Sequence, residues 1–68
     1  MALYELVEPQ KGKDGFYDET LPLKVVFKNM TAEKINRYMM NHFGYRYSAR
    51  DMETGEMYHY TTQGLKKL

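Results

Sequence analysis

The side chains that could act as nucleophiles, acids or bases in this 68-residue chain are few and scattered along the sequence. Ser48 could be a nucleophile only with a base beside it, and no spacing marks His42 or His59 as that base. Carboxylates cluster once, in a predicted turn, where acids are common because they are solvated and bond the turn backbone: Asp51, Glu53 and Glu56. We therefore predict a protein that is not an enzyme and has no catalytic residues.

The sequence gives as little support for a metal site or a phosphate-binding site as it does for a catalytic site. The chain has two histidines, in separate predicted elements, and no cysteine, so no spacing typical of a metal site is present. GKDG at 12–15 is too short for a phosphate-binding loop, and it lacks the Ser or Thr that completes one. The position of His42 near the end of a predicted helix is explained by the helix dipole, which favours a protonated imidazole there. We predict no metal and no cofactor.

Binding chemistry is better supported, because residues 45–60 hold four of the seven tyrosines together with two arginines. Tyrosine and arginine are enriched in interface hot spots, since each offers a large contact area with a polar end. A further aromatic pair lies in a predicted loop between two strands. The candidate partner-binding residues are Arg46, Arg50, Tyr58, Tyr60, Phe16 and Tyr17.

The same residue types would suit a single-stranded nucleic acid, whose bases stack on aromatic rings while guanidinium groups neutralise phosphates. A net charge of +1 gives little general attraction to a polyanion, however. Residues 1–34 carry five Lys and six acids (−1), and residues 35–68 carry five Lys or Arg and three acids (+2). No RNP-like signature, GXXG loop or helix-turn-helix pattern is present. A protein partner is the first expectation and nucleic acid the second.

The length predicts one compact domain, residues 1–68. A chain this short has a small core, so a homodimer that supplies further burial is the third expectation. No apolar run approaches the roughly 18–20 residues of a membrane span, and the N-terminus lacks the basic and apolar regions of a secretory signal. Together with the absence of cysteine, this predicts a cytoplasmic protein that does not contact membranes.

The elements that position these residues follow from the hydrophobic pattern. ALYELVE at 2–8 and LKVVFKN at 23–29 are predicted strands, and the second alternates cleanly. Its core-facing set is predicted to be Leu23, Val25 and Phe27. Residues 9–22 hold two glycines, two prolines and charges of both signs, which predicts a long and mobile loop.

A single helix is predicted after the second strand. Thr31 is a suitable N-cap, and Glu33 places an acid in the first turn, where the helix dipole favours it. The helix is expected to run to about residue 43 and to end with Gly44 in the C′ position. Helical spacing predicts a core-facing stripe of Ala32, Ile35, Tyr38, Met39 and Phe43.

The direction of the hairpin tyrosines depends on the turn in DMETGE at 51–56. A three-residue loop at 53–55, with Gly55 at positive φ, is the preferred solution and pairs Arg50 with Tyr58. That register predicts an outward face of Arg46, Ser48, Arg50, Tyr58 and Tyr60. A two-residue loop at 54–55 is the alternative, and it would gather the four tyrosines on one face and both arginines on the other. Threonine is a poor first residue for that primed turn.

These elements predict an α+β fold in the order β-loop-β-α-β-β, with one helix across an antiparallel sheet of three to four strands. An open sheet has unpaired edges, which invite homodimerisation or strand addition by a partner. The size and element order are shared by many accessory proteins of bacteria and their viruses, which implies no kinship. The function we expect is a protein-binding module, such as an inhibitor or adaptor.

Overall fold

The computed structural model describes residues 2–68. Its strands are β1 (Tyr4–Glu8), β2 (Lys24–Met30), β3 (Ser48–Asp51), β4 (Met57–Thr61) and β5 (Gly64–Lys67), and its helix is α1 (Ala32–Asn41). The strands form one antiparallel sheet in the order β2-β1-β3-β4-β5. The predicted α+β class is confirmed. The sheet has five strands rather than the predicted three to four.

The additional strand is β5, which lies beyond the elements predicted from the sequence. The chain reverses within two residues after β4, so that Thr61 pairs with Gly64, whose φ of +120° favours glycine. Asn36 of α1 fixes this corner: its Nδ2 donates to the Thr61 carbonyl at 3.0 Å, and its Oδ1 accepts from the Thr61 amide at 3.2 Å. Asn36 therefore faces the sheet and ties the helix to the β4–β5 turn.

The core lies between α1 and the middle of the sheet. Its buried residues are Leu6, Ile35, Met39 and Ala49. Leu6 and Ala49 are register partners on β1 and β3, so they present adjacent side chains to the helix. Val7 is also buried, but strand alternation directs it to the opposite face of the sheet. The fully buried cluster thus has four members, and eight partly buried hydrophobic residues pack against it.

The N-terminus of α1 is as predicted, whereas its C-terminus is not. Thr31 has extended backbone angles and its side chain accepts from the Lys34 amide at 3.3 Å. The helix ends at Asn41, because His42 acts as the C-cap and its Nδ1 donates to the Tyr38 carbonyl at 2.8 Å. Phe43 therefore lies outside the helix and is 77% exposed, so its predicted place in the core stripe is wrong. Gly44 does not adopt the positive φ expected of a C′ glycine.

The regular alternation predicted for β2 is wrong. Its pairing with β1 changes register twice, between Tyr4 and Leu6 and again between Leu6 and Val7. Such irregularities shift side chains from one face to the other. Val26 consequently packs against the core, and Phe27 is 46% exposed.

The β3–β4 hairpin adopts neither of the registers considered from the sequence. Ala49 pairs with Tyr58, and the Asp51 amide donates to the Glu56 carbonyl at 2.9 Å, which leaves a four-residue loop at 52–55. The loop is held by the Asp51 carboxylate, whose Oδ1 accepts from the Glu53 and Thr54 amides at 2.8 and 3.1 Å. The preferred pairing of Arg50 with Tyr58 is therefore wrong. The faces are those of the alternative, with tyrosines on one side and arginines on the other.

Residues 9–22 connect β1 to β2 and contain one further bridge of the same antiparallel sense. Lys11 and Tyr17 form an isolated antiparallel bridge, and the Gly12 amide donates to the Phe16 carbonyl at 2.8 Å. The reversal uses Gly15 at a φ of +83°. The Gln10 side chain donates to the Pro22 carbonyl at 2.7 Å and so closes the base of this β1–β2 connection.

Candidate functional site: an aromatic surface

A continuous set of ring side chains covers one part of the helix-bearing side of the molecule. We call it the aromatic surface, and it consists of Phe27, Tyr38, His42, Tyr45 and Tyr47. β2 supplies one ring, α1 and its C-cap supply two, and the segment entering β3 supplies two. The bend at the end of α1 brings these three parts of the chain together.

The rings contact one another in an ordered series. The Tyr38 ring stacks on the His42 imidazole with centroids 4.1 Å apart, and it meets the Phe27 ring edge to face at 5.4 Å. The Tyr45 and Tyr47 rings stack at 5.1 Å with an interplanar angle of 12°. Tyr38 and Tyr47 join the two stacks at 5.9 Å. Each ring of the set is therefore in contact with at least one other ring.

Much of this set remains accessible to solvent. Tyr45 is 58% exposed, and Phe27 and the neighbouring Phe43 are also open. Tyr38, Tyr47 and His42 are half-buried beneath them. The fully buried cluster consists of Leu6, Ile35, Met39 and Ala49, and Tyr38 and Tyr47 pack against it from outside.

Burial and a nearby charge raise the pKa of one tyrosine hydroxyl of the aromatic surface. Burial raises the pKa of Tyr47, and the nearby Glu8 carboxylate raises it further because it disfavours a second negative charge. The pKa of Tyr58, on β4, is also raised, first by desolvation and then by its hydrogen bond to Glu56 at 3.2 Å. In both cases the neutral phenol is favoured in the folded state. Folding therefore loses stability as pH rises above about 10, where tyrosines of the unfolded chain ionise first.

Replacement of Tyr47 with Phe is expected to remove a late-ionising tyrosine from the folded protein. The ultraviolet phenolate absorbance should be followed from pH 8 to 13, with folding monitored by circular dichroism in the same samples. Tyr47→Phe should lower the amplitude of the late component by one tyrosine equivalent, and Tyr58→Phe should do the same independently. An unchanged late amplitude in Tyr47→Phe would contradict the raised pKa of its hydroxyl.

A second feature borders the aromatic surface. A shallow depression of about 370 Å³ lies between the β1–β2 connection and Tyr45, and Tyr17 lines it together with Lys11 and Lys24. The Arg46 guanidinium lies over the Tyr17 ring at 4.9 Å, and the Lys11 ammonium lies 5.5 Å from the same ring. These are cation–π distances. Two of the residues predicted from the sequence, Tyr17 and Arg46, are thus brought together beside the aromatic surface.

The other predicted partner-binding residues lie elsewhere. Tyr58 and Tyr60 pack against the core on the helix side and are half-buried, so their predicted outward face is wrong. Arg50 lies on the opposite side of the sheet, where its Nε donates to the Glu5 carboxylate at 2.6 Å. Phe16 is 74% exposed near the tip of the β1–β2 connection. The six residues therefore do not form one site.

None of the five members of the aromatic surface was a candidate partner-binding residue from the sequence: Phe27, Tyr38, His42, Tyr45 and Tyr47. Phe27 and Tyr38 each fit a regular apolar pattern that predicts a core position. Tyr38 and His42 are four residues apart, a spacing that places two side chains on one helix face. That spacing is the signal from which their stacking could have been predicted.

Within residues 2–68 no three histidine or carboxylate side chains converge in a way that could hold a metal ion. The helix of that described part is too short and too polar to cross a membrane.

No family model, curated protein or solved structure matches this chain. The class that fold and site define is a small α+β domain with an ordered aromatic surface.

Proposed function

We propose that this chain is a non-enzymatic protein-binding module, an inhibitor or adaptor, and that the aromatic surface is its main contact. The observation that carries the proposal is the accessible series of stacked rings from Phe27 to Tyr45. Interface cores are enriched in aromatic residues, which bury a large area with few rotatable bonds. The rings already hold one another, so little side-chain freedom would be lost on binding.

The composition around the rings also favours a protein partner. Tyr45 and Phe27 supply exposed apolar area at the two ends of the ring series, and Arg46 with Lys11 lies at the margin beside Tyr17. An apolar centre with a charged rim is the usual anatomy of a protein–protein interface. Arg46 is accordingly a rim contact, whereas Arg50 is engaged by Glu5 and contributes to the sheet instead.

Single-stranded nucleic acid is the second candidate, because one observation favours it. Three cations border the adjoining depression or the Tyr17 ring beside it: Lys11, Lys24 and Arg46. Exposed stacked rings with nearby cations are what a nucleobase and its phosphate require. Binding of this kind would weaken steeply as salt rises, whereas an apolar protein interface would not.

The test uses a photo-reactive phenylalanine analogue placed at position 45 of the full chain in its native cells. We expect a discrete cross-linked protein at position 45. The matched control places the same analogue at the exposed Thr54, beyond the opposite end of β3. The control should not cross-link the protein that is captured from position 45. The cross-linked protein is then purified and its affinity for variants is measured by calorimetry.

Tyr45→Ala and Phe27→Ala should each weaken that affinity by at least tenfold, because each removes a large exposed ring from the proposed contact. Tyr45→Phe keeps the ring and should weaken it less. Thr54→Ala should leave it unchanged. Equal affinity of all four variants would refute the assignment of the aromatic surface. Binding of labelled single-stranded RNA at 20 mM salt that both ring deletions abolish would establish the second candidate instead.

A further inference from the structure

The outer edge of β5 carries unpaired backbone groups. β5 is the last strand of the sheet and pairs on one side only, with β4. The Leu68 amide donates to the Met57 carbonyl at 3.0 Å, which fixes the phase of the ladder. Because antiparallel bonding alternates along a strand, Gly64 and Lys66 also direct their backbone groups toward β4. The N–H and C=O groups of Leu65 and Lys67 point toward the open edge.

The two edges of the sheet differ in how readily a further strand could join. β2, at the other edge, has two register irregularities and a residue, Asn29, at a φ of +60°. Irregularities of this kind prevent a partner strand from pairing continuously. β5 pairs in one uninterrupted register over its four residues. β5 is therefore the edge with the geometry for strand addition.

An apolar groove runs directly beside this edge. It has a volume of about 500 Å³ and lies between α1 and the β4–β5 corner. Its apolar lining comes from Ala32, Met40 and Leu65, and the Glu33–Arg37 ion pair, at 3.0 Å, lies at its rim. Leu65 belongs to both features, since its side chain lines the groove and its backbone faces the open edge.

The lysines of β5 indicate whether a second copy of this chain or an acidic peptide would pair with its open edge. If two copies of β5 paired antiparallel so that residues 64–68 overlapped fully, Lys66 of one copy would stand opposite Lys66 of the other. Like charges directly opposite each other destabilise a strand pair. Lys67 is on the helix side, is 60% exposed at its side chain, and shares its ammonium with Glu56 at 3.2 Å. An ammonium has three donors, so Lys67 can bind a second carboxylate.

We propose that β5 and the groove bind an extended peptide segment of a protein partner, added antiparallel, with an acidic residue two positions before a large apolar one. The apolar side chain lies opposite Leu65 and enters the groove. The acidic side chain lies opposite Lys67, and the backbone bonds to Leu65 and Lys67. The proposal does not rest on the aromatic surface, which is made by other residues.

The probe is a blocked seven-residue peptide with the central sequence Glu-Thr-Leu, titrated into the full chain and followed by amide and methyl NMR. We expect the largest shifts at the Leu65 and Lys67 amides and at the methyl groups of Ala32 and Met40. Replacing the peptide's Glu with Lys, or its Leu with Ser, should weaken binding at least tenfold. A reversed peptide, Leu-Thr-Glu, that binds more tightly would overturn the antiparallel assignment.

Variants of β5 separate backbone pairing from charge. Lys67→Ala removes the helix-side ammonium and should reduce the preference for Glu over Gln in the peptide at least fivefold. Lys66→Ala removes an equal charge from the other face and should leave that preference unchanged. Lys67→Pro also deletes an outward N–H, which an edge strand tolerates, and should abolish binding.

Three outcomes would overturn the proposal. One is equal effects of Lys66→Ala and Lys67→Ala on the peptide preference. Another is an absence of β5 shifts with the Glu-Thr-Leu peptide at millimolar concentration. The third is a concentration-dependent dimer in sedimentation velocity whose formation Lys67→Pro abolishes, since it would assign the edge to a second copy. Tyr45→Ala should not alter peptide binding, which keeps this test separate from that of the aromatic surface.

Discussion

Ile35→Ala should leave a large fraction of the protein unfolded at 25 °C. Ile35 is completely buried and is one of four residues in the core cluster, together with Leu6, Met39 and Ala49. Truncating a buried isoleucine to alanine costs about 2–5 kcal/mol, from lost transfer energy and the cavity left behind. A core in a domain of fewer than roughly 70–80 residues rarely supplies more than ~3–5 kcal/mol in total. A single substitution can therefore remove most of the free energy of unfolding.

Urea unfolding followed by far-ultraviolet circular dichroism measures this loss. Ile35→Val, which removes one methylene, should shift the midpoint by an amount equivalent to about 0.5–1.5 kcal/mol. Phe43→Ala is the matched control, because the sequence pattern assigns Phe43 to the same stripe while the structure leaves it exposed. It should stay within about 0.5 kcal/mol of the wild type. A Phe43→Ala variant as unstable as Ile35→Ala would show that Phe43 is in the core after all.

The parts of the fold that could be predicted are those with a strong local signal. The strand near residues 23–29 was predictable from its β-branched and aromatic residues, although their alternation did not give its faces, and the helix after Thr31 was predictable from its cap and apolar spacing. β5 was missed because GLKK has one large apolar residue in four, so it shows no alternation. Its position depends on Asn36, which bonds the Thr61 backbone from 25 residues away.

The candidate site was harder to predict because it depends on register and on where the helix ends. A helix ending near residue 43 would have turned Phe43 inward, whereas the bond from His42 to the Tyr38 carbonyl ends it earlier and stacks the two rings. In the hairpin, the length of the turn decides which faces Tyr58 and Tyr60 occupy. Neither feature produces a hydrophobic periodicity that could be read from the chain.

Asp51→Ala should be the most damaging substitution of a charged residue. Asp51 is 8% exposed at the end of β3, and its carboxylate accepts the Glu53 and Thr54 amides. Hydrogen bonds to a charged acceptor are worth about 1.5–3 kcal/mol, and we expect a total loss of that order because water can reach the exposed loop. Asp51→Asn keeps one acceptor oxygen in place, so it should lose less.

The effect of Asp51 is one of position rather than of charge, and Glu53 provides the comparison. Glu53→Ala removes an equal charge from the same turn. The Glu53 side chain is exposed, and it is the Asp51 carboxylate that accepts the turn amides. The urea midpoint of Glu53→Ala should therefore stay near that of the wild type. Because the Asp51 bonds select the four-residue loop, Asp51→Ala should also increase amide exchange at Glu53, Thr54 and Gly55 before global unfolding. Equal destabilisation by Asp51→Ala and Glu53→Ala would mean that the turn responds to net charge. In that case the carboxylate would not be what sets the register, and the direction of the hairpin tyrosines would have to come from the packing of Tyr58 and Tyr60 under the helix.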